Sequence, residues 1–419
     1  MYWQKKYWFF TTPVNKIMSR NRYLAIRRFF HLCDESTMPP KNSETFDKLY
    51  KLRPFLEKLL PKFTRVYMPN KNIAIDESMI PFKGRISFRQ FMPVKRVRFG
   101  IKCFLLAETA TGYVSRISIY TGKDPVASDS NLGVINSLVL NLLAPFLHLG
   151  HHVYFDNYYS SAFLFKELYL KKTYACGTAR TNRGIPEELI IARGTARGFS
   201  DWRVSGPLLA QCWVDSKHVY FFSTIHDPDY DIGDEGKTAV KRRGKKGQEP
   251  IEVPCPPLLS SYNKNMGGVD RSDQVRKYYN VFRKTQDWTR KVFCYLLEIS
   301  IENSRIVAND LAGRDERSKE YRMQLVQSLI GSYRGTYQKV TESGDNDEIR
   351  LNREVHHFPQ SVKHSKARCI VCTMRKSKGL IAIVHKSNIK CVGCNVHLCI
   401  EIDRDCFRHY HLDQNFWNW

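Results

Sequence analysis

The run Ile73-Ala-Ile-Asp-Glu-Ser-Met-Ile-Pro-Phe82 decides how the chain is read. Apolar residues at Ile73 and Ile75 predict a short buried strand. Asp76 then falls at or near the strand's carboxyl end, where a charge without a partner is costly. Taken alone, such an aspartate reads as a turn residue or a paired core acid. Two other segments weigh against that. His151-His-Val-Tyr-Phe-Asp-Asn157 is a second apolar run ending in Asp156, and Asn265-Met-Gly-Gly-Val-Asp-Arg-Ser-Asp-Gln274 carries Asp270 and Asp273. Carboxylates at two strand ends and on one nearby helix are the hard oxygen ligands that a pair of divalent cations takes. The constellation points to phosphoryl transfer on nucleic acid.

Outward from this stretch, Arg98 to Ala107 and Tyr113 to Tyr120 read as strands about the turn Thr109 to Gly112. A helix is expected over Asn131 to Leu149, a fourth strand over Val153 to Phe155, a helix over Ser160 to Leu170 and a fifth strand over Thr173 to Gly177. The order β-β-β-α-β-α-β is that of an α/β, ribonuclease H-like core with a mixed five-stranded sheet. In that fold the first and fourth strands are central neighbours, which would bring Asp76 and Asp156 together. Upstream, Ser19 is placed to cap a helix over Arg20 to Leu32, and Phe46 to Leu60 repeats the helical pattern. The chain begins inside structured-looking sequence, so an upstream segment is expected. Downstream, Arg180 to Pro257 interrupts the core with short strand-like runs. Its basic loop holds Lys241, Arg242, Arg243, Lys245 and Lys246, and reads equally as a solvated linker or a phosphate-contacting arm. Asp270 and Asp273 share a face of a helix over Val269 to Tyr279; acids near a helix start are also ordinary. Helices follow over Trp288 to Leu311 and Ser318 to Tyr333, then a polar, acidic linker, Thr341 to Glu348.

Lys and Arg number 66 against 41 Asp and Glu, a net charge of +25 over 419 residues, which calls for a polyanionic partner such as DNA. No apolar run reaches membrane-spanning length and no signal peptide is visible, so a membrane partner is not expected. Lys83, Arg85, Lys95, Arg96, Arg98 and Lys102 flank the first acid and are candidate phosphate contacts, though solvated surface is the plainer reading of many of them. Six of the twelve cysteines lie after Ser365. Cys369-x-x-Cys372 and Cys391-x-x-Cys394 are separated by 18 residues, a zinc-module spacing. His397, Cys399, Cys406, His409 and His411 add candidates, enough for two zinc ions in a cross-braced module. Which histidines bind is open. DNA binding, protein binding and ubiquitin-ligase activity all suit such a module.

These residues resemble the piggyBac transposase family. The resemblance is carried by Ile75-Asp-Glu-Ser-Met-Ile-Pro-Phe-Lys-Gly-Arg85, Gly100-Ile-Lys102, Phe155-Asp-Asn-Tyr-Tyr-Ser160, Gly177-Thr-Ala-Arg-Thr-Asn182, Tyr262 to Gln274 and the tail ending Cys406-Phe-Arg-His-Tyr-His411. It implies cut-and-paste DNA transposition at TTAA targets, with Asp76, Asp156 and Asp270 as catalytic aspartates and Asp273 as accessory acid. It further implies Mg²⁺ or Mn²⁺ at these acids, zinc in the tail, double-stranded transposon-end DNA as substrate, a homodimer and nuclear residence. The organisation it suggests is a helical dimerisation or DNA-binding region over 1–71 and core over 72–180 and 258–312, split by an inserted subdomain over 181–257. A helical region over 313–340, a linker over 341–364 and a zinc-binding domain over 365–419 follow. Two other readings are a transposase-derived DNA-binding protein that no longer transposes, and a zinc-dependent interaction module on an inert scaffold.

Overall fold

The computed structural model describes residues 14–93, 97–122, 132–192, 194–228, 238–242, 249–279, 285–331, 347–352, 355–362 and 366–419. The chain forms two compact units, Ile26–Gly331 and Met1–Ala25 with Ser332–Trp419. No helix among the described residues is long and apolar enough to cross a membrane. The predicted N-terminal helices are present but shifted. After a single turn, α1 (Val14–Ile17), Ser19 caps α2 (Arg20–Phe29) by accepting from the Arg22 amide at 3.2 Å. The next helix, α3, spans Arg53–Val66 where Phe46 to Leu60 was expected. Pro54 explains the late start, because its missing N–H and preset φ suit a first turn.

The larger unit is built on a nine-stranded sheet. Its strands are β1 (Asn72–Pro81), β2 (Gln90–Phe91), β3 (Phe99–Glu108), β4 (Val114–Ile119), β5 (His152–Phe155), β6 (Tyr174–Ala179), β7 (Ser200–Ser205), β8 (Leu208–Val214) and β9 (His218–Ser223). They run in the order β2-β3-β1-β5-β6-β9-β8-β7, with β4 also paired to β3. The path β4-β3-β1-β5-β6 is the expected ribonuclease H-like core. β1 lies antiparallel to β3 and parallel to β5, and β5 is parallel to β6. Residues 181–257 supply β7 to β9, which continue the same sheet through the antiparallel β6–β9 pair. They also supply the hairpin β10 (Thr238–Arg242) and β11 (Ile251–Cys255).

Asp76 is not at the strand's end: pairing with β3 carries β1 on to Pro81, with Asp76 opposite Leu105. Only the parallel pairing stops, at Ile75 opposite Phe155. The longer partner strand decides, since β3 offers its backbone groups over the whole length.

Alternation on β1 sorts the two faces of the sheet. Ile73 and Ile75 pack with Phe104, Leu106 and Phe155 against α4 (Val134–Leu143) and α5 (Ala162–Leu170). On the opposite face lie Ala74, Asp76, Ser78 and Ile80. There Ala74 packs with Leu258 and Leu259 of α6 (Pro257–Asn265). Ile80 packs with Val269 of α7 (Gly268–Tyr278) and with Val292, Tyr295 and Ile299 of α8 (Trp288–Ala312). The buried Asn303 side chain ties α8 to the sheet by bonding both backbone groups of Val114, at 3.0 and 2.8 Å. α9 (Ser318–Ile330) follows, held through the ion pair of Arg322 with the buried Glu298 at 2.7 Å.

The close seat of α7 depends on one glycine. A Cβ on Gly268 would stand 2.9 Å from the Glu108 carbonyl oxygen and 3.2 Å from Thr109 Cα, whereas one on Gly267 meets nothing within 4 Å. Gly268→Ala is expected to destabilise the protein by about 1–3 kcal/mol through overpacking, read as a lowered urea midpoint, with Gly267→Ala as the matched control. Equal midpoints would show that the approach is not tight.

The smaller unit has little apolar core. Its elements are α10 (Asp347–Arg350), β12 (Pro359–Ser361), β13 (Ala367–Arg368), α11 (Ile370–Ser377), β14 (Lys386–Ser387), β15 (Ile389–Cys391) and α12 (Cys406–Leu412). Six cysteines stand among its core side chains, with Val371, Leu398, Tyr410 and Phe416. The buried Arg350 closes the end of α12, donating to the carbonyls of Tyr410, Asp413 and Gln414 at 2.8, 2.5 and 2.7 Å. A guanidinium there matches the negative end of the helix.

Candidate active site and metal centres

Asp156 directly follows Phe155, the last residue of β5 paired in parallel to β1, and Asp76 directly follows Phe155's partner, Ile75. The two aspartates therefore stand at the same level, Asp76 within β1 and Asp156 just past the end of β5. Each is oriented by its own backbone. Asp76 Oδ1 accepts from the Glu77 amide at 2.7 Å, and Asp156 Oδ1 accepts from the Asn157 amide at 2.6 Å and from Thr178 Oγ1 at 3.1 Å. Ser78, two residues beyond Asp76 on the same face, donates to Asp273 Oδ1 at 2.7 Å and so brings α7 to the strand. Asp270 lies one turn earlier on that helix and is exposed.

Aromatic groups wall the acids. Burial raises the Tyr262 hydroxyl, opposed by its bond with Thr178 and reinforced by the charges of Asp156 and Asp76. Burial, then the charges of Glu77 and Asp76, raise Tyr159, whose hydroxyl donates to Glu77 Oε2 at 3.2 Å. Both tyrosines thus stay protonated donors beside carboxylates. The donor set is all oxygen, which suits Mg²⁺ or Mn²⁺ and not zinc. Asp273 meets the face of β1 that carries Asp76 through Ser78, Asp270 shares its helix face by its i, i+3 spacing, and the four aspartates are not drawn into one tight cluster. Among the described residues, the groups of three or more acid, histidine or cysteine ligands within 4.8 Å of one another are both in the tail.

Of the expected phosphate contacts, Lys83, Arg85 and Arg98 are exposed in the loop from β1 to β3. Lys102 is half-buried, its ammonium 4.7 Å from the Phe104 ring centre and 4.6 Å from that of Tyr158. Lys241 is exposed on β10, 3.8 Å from Glu252. Arg242 is held within the fold by Asp215 at 2.9 Å and the Trp213 ring at 5.8 Å. Lys95, Arg96, Arg243, Lys245 and Lys246 lie outside the described residues. Arg180 was not anticipated; it donates to Asn157 Oδ1 at 3.1 Å on the rim beside Asp156.

The tail gathers its ligands into two groups of four, Cys369, Cys372, Cys399 and Cys406, and His357, Cys391, Cys394 and His411. The groups interleave along the chain, which is the connectivity of a cross-brace. Sulfur–sulfur distances from Cys372 are 3.9 Å to Cys399 and 3.8 Å to Cys406. Tetrahedral zinc with bonds of about 2.3 Å sets sulfurs about 3.8 Å apart. In the second group the nitrogens stand 3.3 to 3.6 Å from the sulfurs. Both imidazoles are set up as ligands by their other nitrogen. His411 Nδ1 faces the Phe407 carbonyl at 2.7 Å and His357 Nε2 faces the Asn352 carbonyl at 3.3 Å, leaving His411 Nε2 and His357 Nδ1 turned to the cysteines. A thiol bond from Cys406 lowers Cys369 and raises Cys406. Sulfurs so crowded ionise together only around a cation. Both groups fit zinc.

His397 and His409 fall outside both groups. His397 Nδ1 faces the Ser387 carbonyl at 2.9 Å, and His409 pairs with Asp413 and stacks on Trp419 with ring centres 4.1 Å apart. His357, which lies in the stretch read as linker, takes the remaining position. Six cysteines supply only six of the eight ligands that two tetrahedral sites need, so the sequence did signal that two histidines were required.

Comparison with known proteins agrees with this architecture. Residues 1–305 match the family model described as Transposase IS4. Human PiggyBac transposable element-derived protein 3 is 26% identical over 428 aligned residues, covering 99% of this chain and 66% of that protein. Human PiggyBac transposable element-derived protein 5 is 24% identical, covering 70% of this chain and 55% of the relative. The chain thus spans just under two thirds of the first relative's length. A cryo-EM structure of a piggyBac transposase synaptic complex with hairpin DNA shares the fold, with a TM-score of 0.67 over 93% of this chain and 79% of that one at 22% identity. On a family match that runs through the acidic site from β1 to α8, this chain belongs to the piggyBac-type transposases of the Transposase IS4 family.

Proposed function

We propose that the chain is a metal-dependent DNA transposase that cuts and rejoins strands at the face carrying Asp76, Asp156, Asp270 and Asp273. The observation that carries this reading is the placement of Asp76 and Asp156 at the same level on neighbouring parallel strands, with Asp273 of α7 bonded to Ser78 on the Asp76 face. Divalent ions held there would activate an attacking oxygen and stabilise a leaving one. The chain's own part is to hold that charge. Backbone amides and Thr178 aim the two carboxylates, and Tyr159 and Tyr262 exclude water from their flanks. Lys102 and Arg180 offer cations at the rim for the phosphodiester.

In the first step a water oxygen bonds to phosphorus and the bond to the 3′ oxygen breaks, leaving a 3′-hydroxyl and a 5′-phosphate. The oxygen of that hydroxyl then bonds to a phosphorus of the opposite strand as its bond to the flanking 3′ oxygen breaks, closing the transposon end as a hairpin and releasing the flank with a 3′-hydroxyl. Water would reopen the hairpin, and the 3′-hydroxyl regained would bond to a phosphorus at a TTAA target as that phosphorus releases its own 3′ oxygen. Double-stranded terminal-repeat DNA, a homodimer, nuclear residence and two zinc ions in the tail complete the reading. The test is Mg²⁺- or Mn²⁺-dependent nicking of candidate terminal-repeat duplexes by the full chain; no cleavage of any such duplex under either ion would defeat it.

DNA affinity should fall steeply with salt. If about six phosphates are neutralised, raising salt from 50 to 200 mM should cost about a thousandfold in binding constant. A flat response in a fluorescence-anisotropy titration would contradict the reading of the +25 charge. A second reading, DNA binding without cleavage, is favoured by one observation: a buried arginine engages Asp273.

A further inference from the structure

Arg276 lies one turn after Asp273 on α7 and is 4% exposed. Its guanidinium pairs with Asp273 Oδ1, its Nε donates to the Ser272 carbonyl at 3.2 Å, and it sits over the Tyr295 ring at 4.3 Å. The same Asp273 oxygen accepts from Ser78 Oγ at 2.7 Å, and Ser78 is 1% exposed. One carboxylate oxygen is thus shared between a buried cation and a buried hydroxyl. Within hydrogen-bond reach of the proposed acidic face, this pair is already neutral. Both contacts fall on Oδ1, so a divalent ion at the other oxygen would sit against a buried guanidinium that cannot withdraw into water without losing its ring and carbonyl contacts.

We propose that Asp273 is a positioning residue and not a metal ligand in this chain: with Arg276 and Ser78 it clamps the start of α7 onto β1, and cation binding falls to Asp76, Asp156 and Asp270. The inference rests on the metal-dependent reading above.

The test is Mn²⁺ binding to the full chain without DNA, followed by the loss of the free-ion paramagnetic resonance signal, with far-UV circular dichroism to check the fold. Asp273→Asn keeps the size of the side chain and an oxygen for Ser78. It should leave Mn²⁺ affinity within about threefold of the parent, whereas Asp76→Asn should weaken it at least about tenfold, because affinity follows the ligand charge count. Arg276→Met frees the carboxylate and should tighten Mn²⁺ binding at least about threefold, and Arg276→Lys should restore the parent value. A folded Asp273→Asn protein that loses Mn²⁺ affinity as severely as Asp76→Asn overturns the inference. If neither Asp76→Asn nor Asp273→Asn changes Mn²⁺ binding, the metal reading fails and takes the inference with it. If Arg276→Met does not fold, the Asp273→Asn comparison decides alone.

Discussion

Asp76→Asn and Asp156→Asn should each lower the rate of Mg²⁺-dependent nicking about a thousandfold or more, roughly 4 kcal/mol of barrier. The amide is nearly the same size as the carboxylate. Its oxygen can still accept from the Glu77 amide at position 76, and from the Asn157 amide and Thr178 at position 156. Stability should therefore change by no more than about 1 kcal/mol. What is lost is one negative charge at the place where cations are to be held. The measurement is single-turnover cleavage of a labelled duplex beside a thermal melt. Nicking at the parental rate by either variant would remove that aspartate from the chemistry. Loss of nicking with a collapsed melt would assign it to the fold instead. The paired result separates the enzyme reading from simple DNA binding, since both variants should still bind duplex.

Replacing His357 by Ala should reduce the zinc content of the purified protein from about two ions per chain to about one, and unfold the tail around Cys391 and Cys394. The size of the effect follows from how little else holds this unit. Its core offers Val371, Leu398, Tyr410 and Phe416 beside the cysteines, while a structural zinc site is worth about 10–16 kcal/mol near neutral pH. His397→Ala and His409→Ala should keep both ions, because their rings face Ser387 and Asp413. Elemental analysis with proteolysis of the tail reads all three variants. Two zinc ions retained in His357→Ala, or one lost in His397→Ala, would mean that the second group is assembled from other ligands than those gathered here. The Cys369 group shares no ligand with the other, so it should keep its ion when His357 is lost.

Much of this was legible in the residues. The alternation at Ile73 and Ile75 reports a strand because a half-buried strand must place every second side chain in the core. The paired Cys-x-x-Cys units report metal because so short a segment cannot fold on its apolar residues alone. The element order then put Asp76 beside Asp156, and the parallel pairing of β1 with β5 does so. Other features were out of reach. The strands of 181–257 read as an interruption, yet they extend the sheet, since an open edge at β6 is satisfied by any strand that can reach it, whatever its distance in sequence. Arg276 looked like one cation among many; only the seat of α7 against β1 and α8 makes it a buried counter-ion. His357 looked like linker because its partners lie 34 and 37 residues away.

Residue types and their spacing were therefore enough to name the candidate groups: aspartate oxygens in one place, sulfur and imidazole in another, and an excess of positive charge. Tertiary structure decided which members of each set act together. A ligand's identity is a local, covalent property written in the chain, but its participation depends on distances of 3 or 4 Å between segments far apart in sequence, and only the packing of sheet, helices and cross-brace determines those.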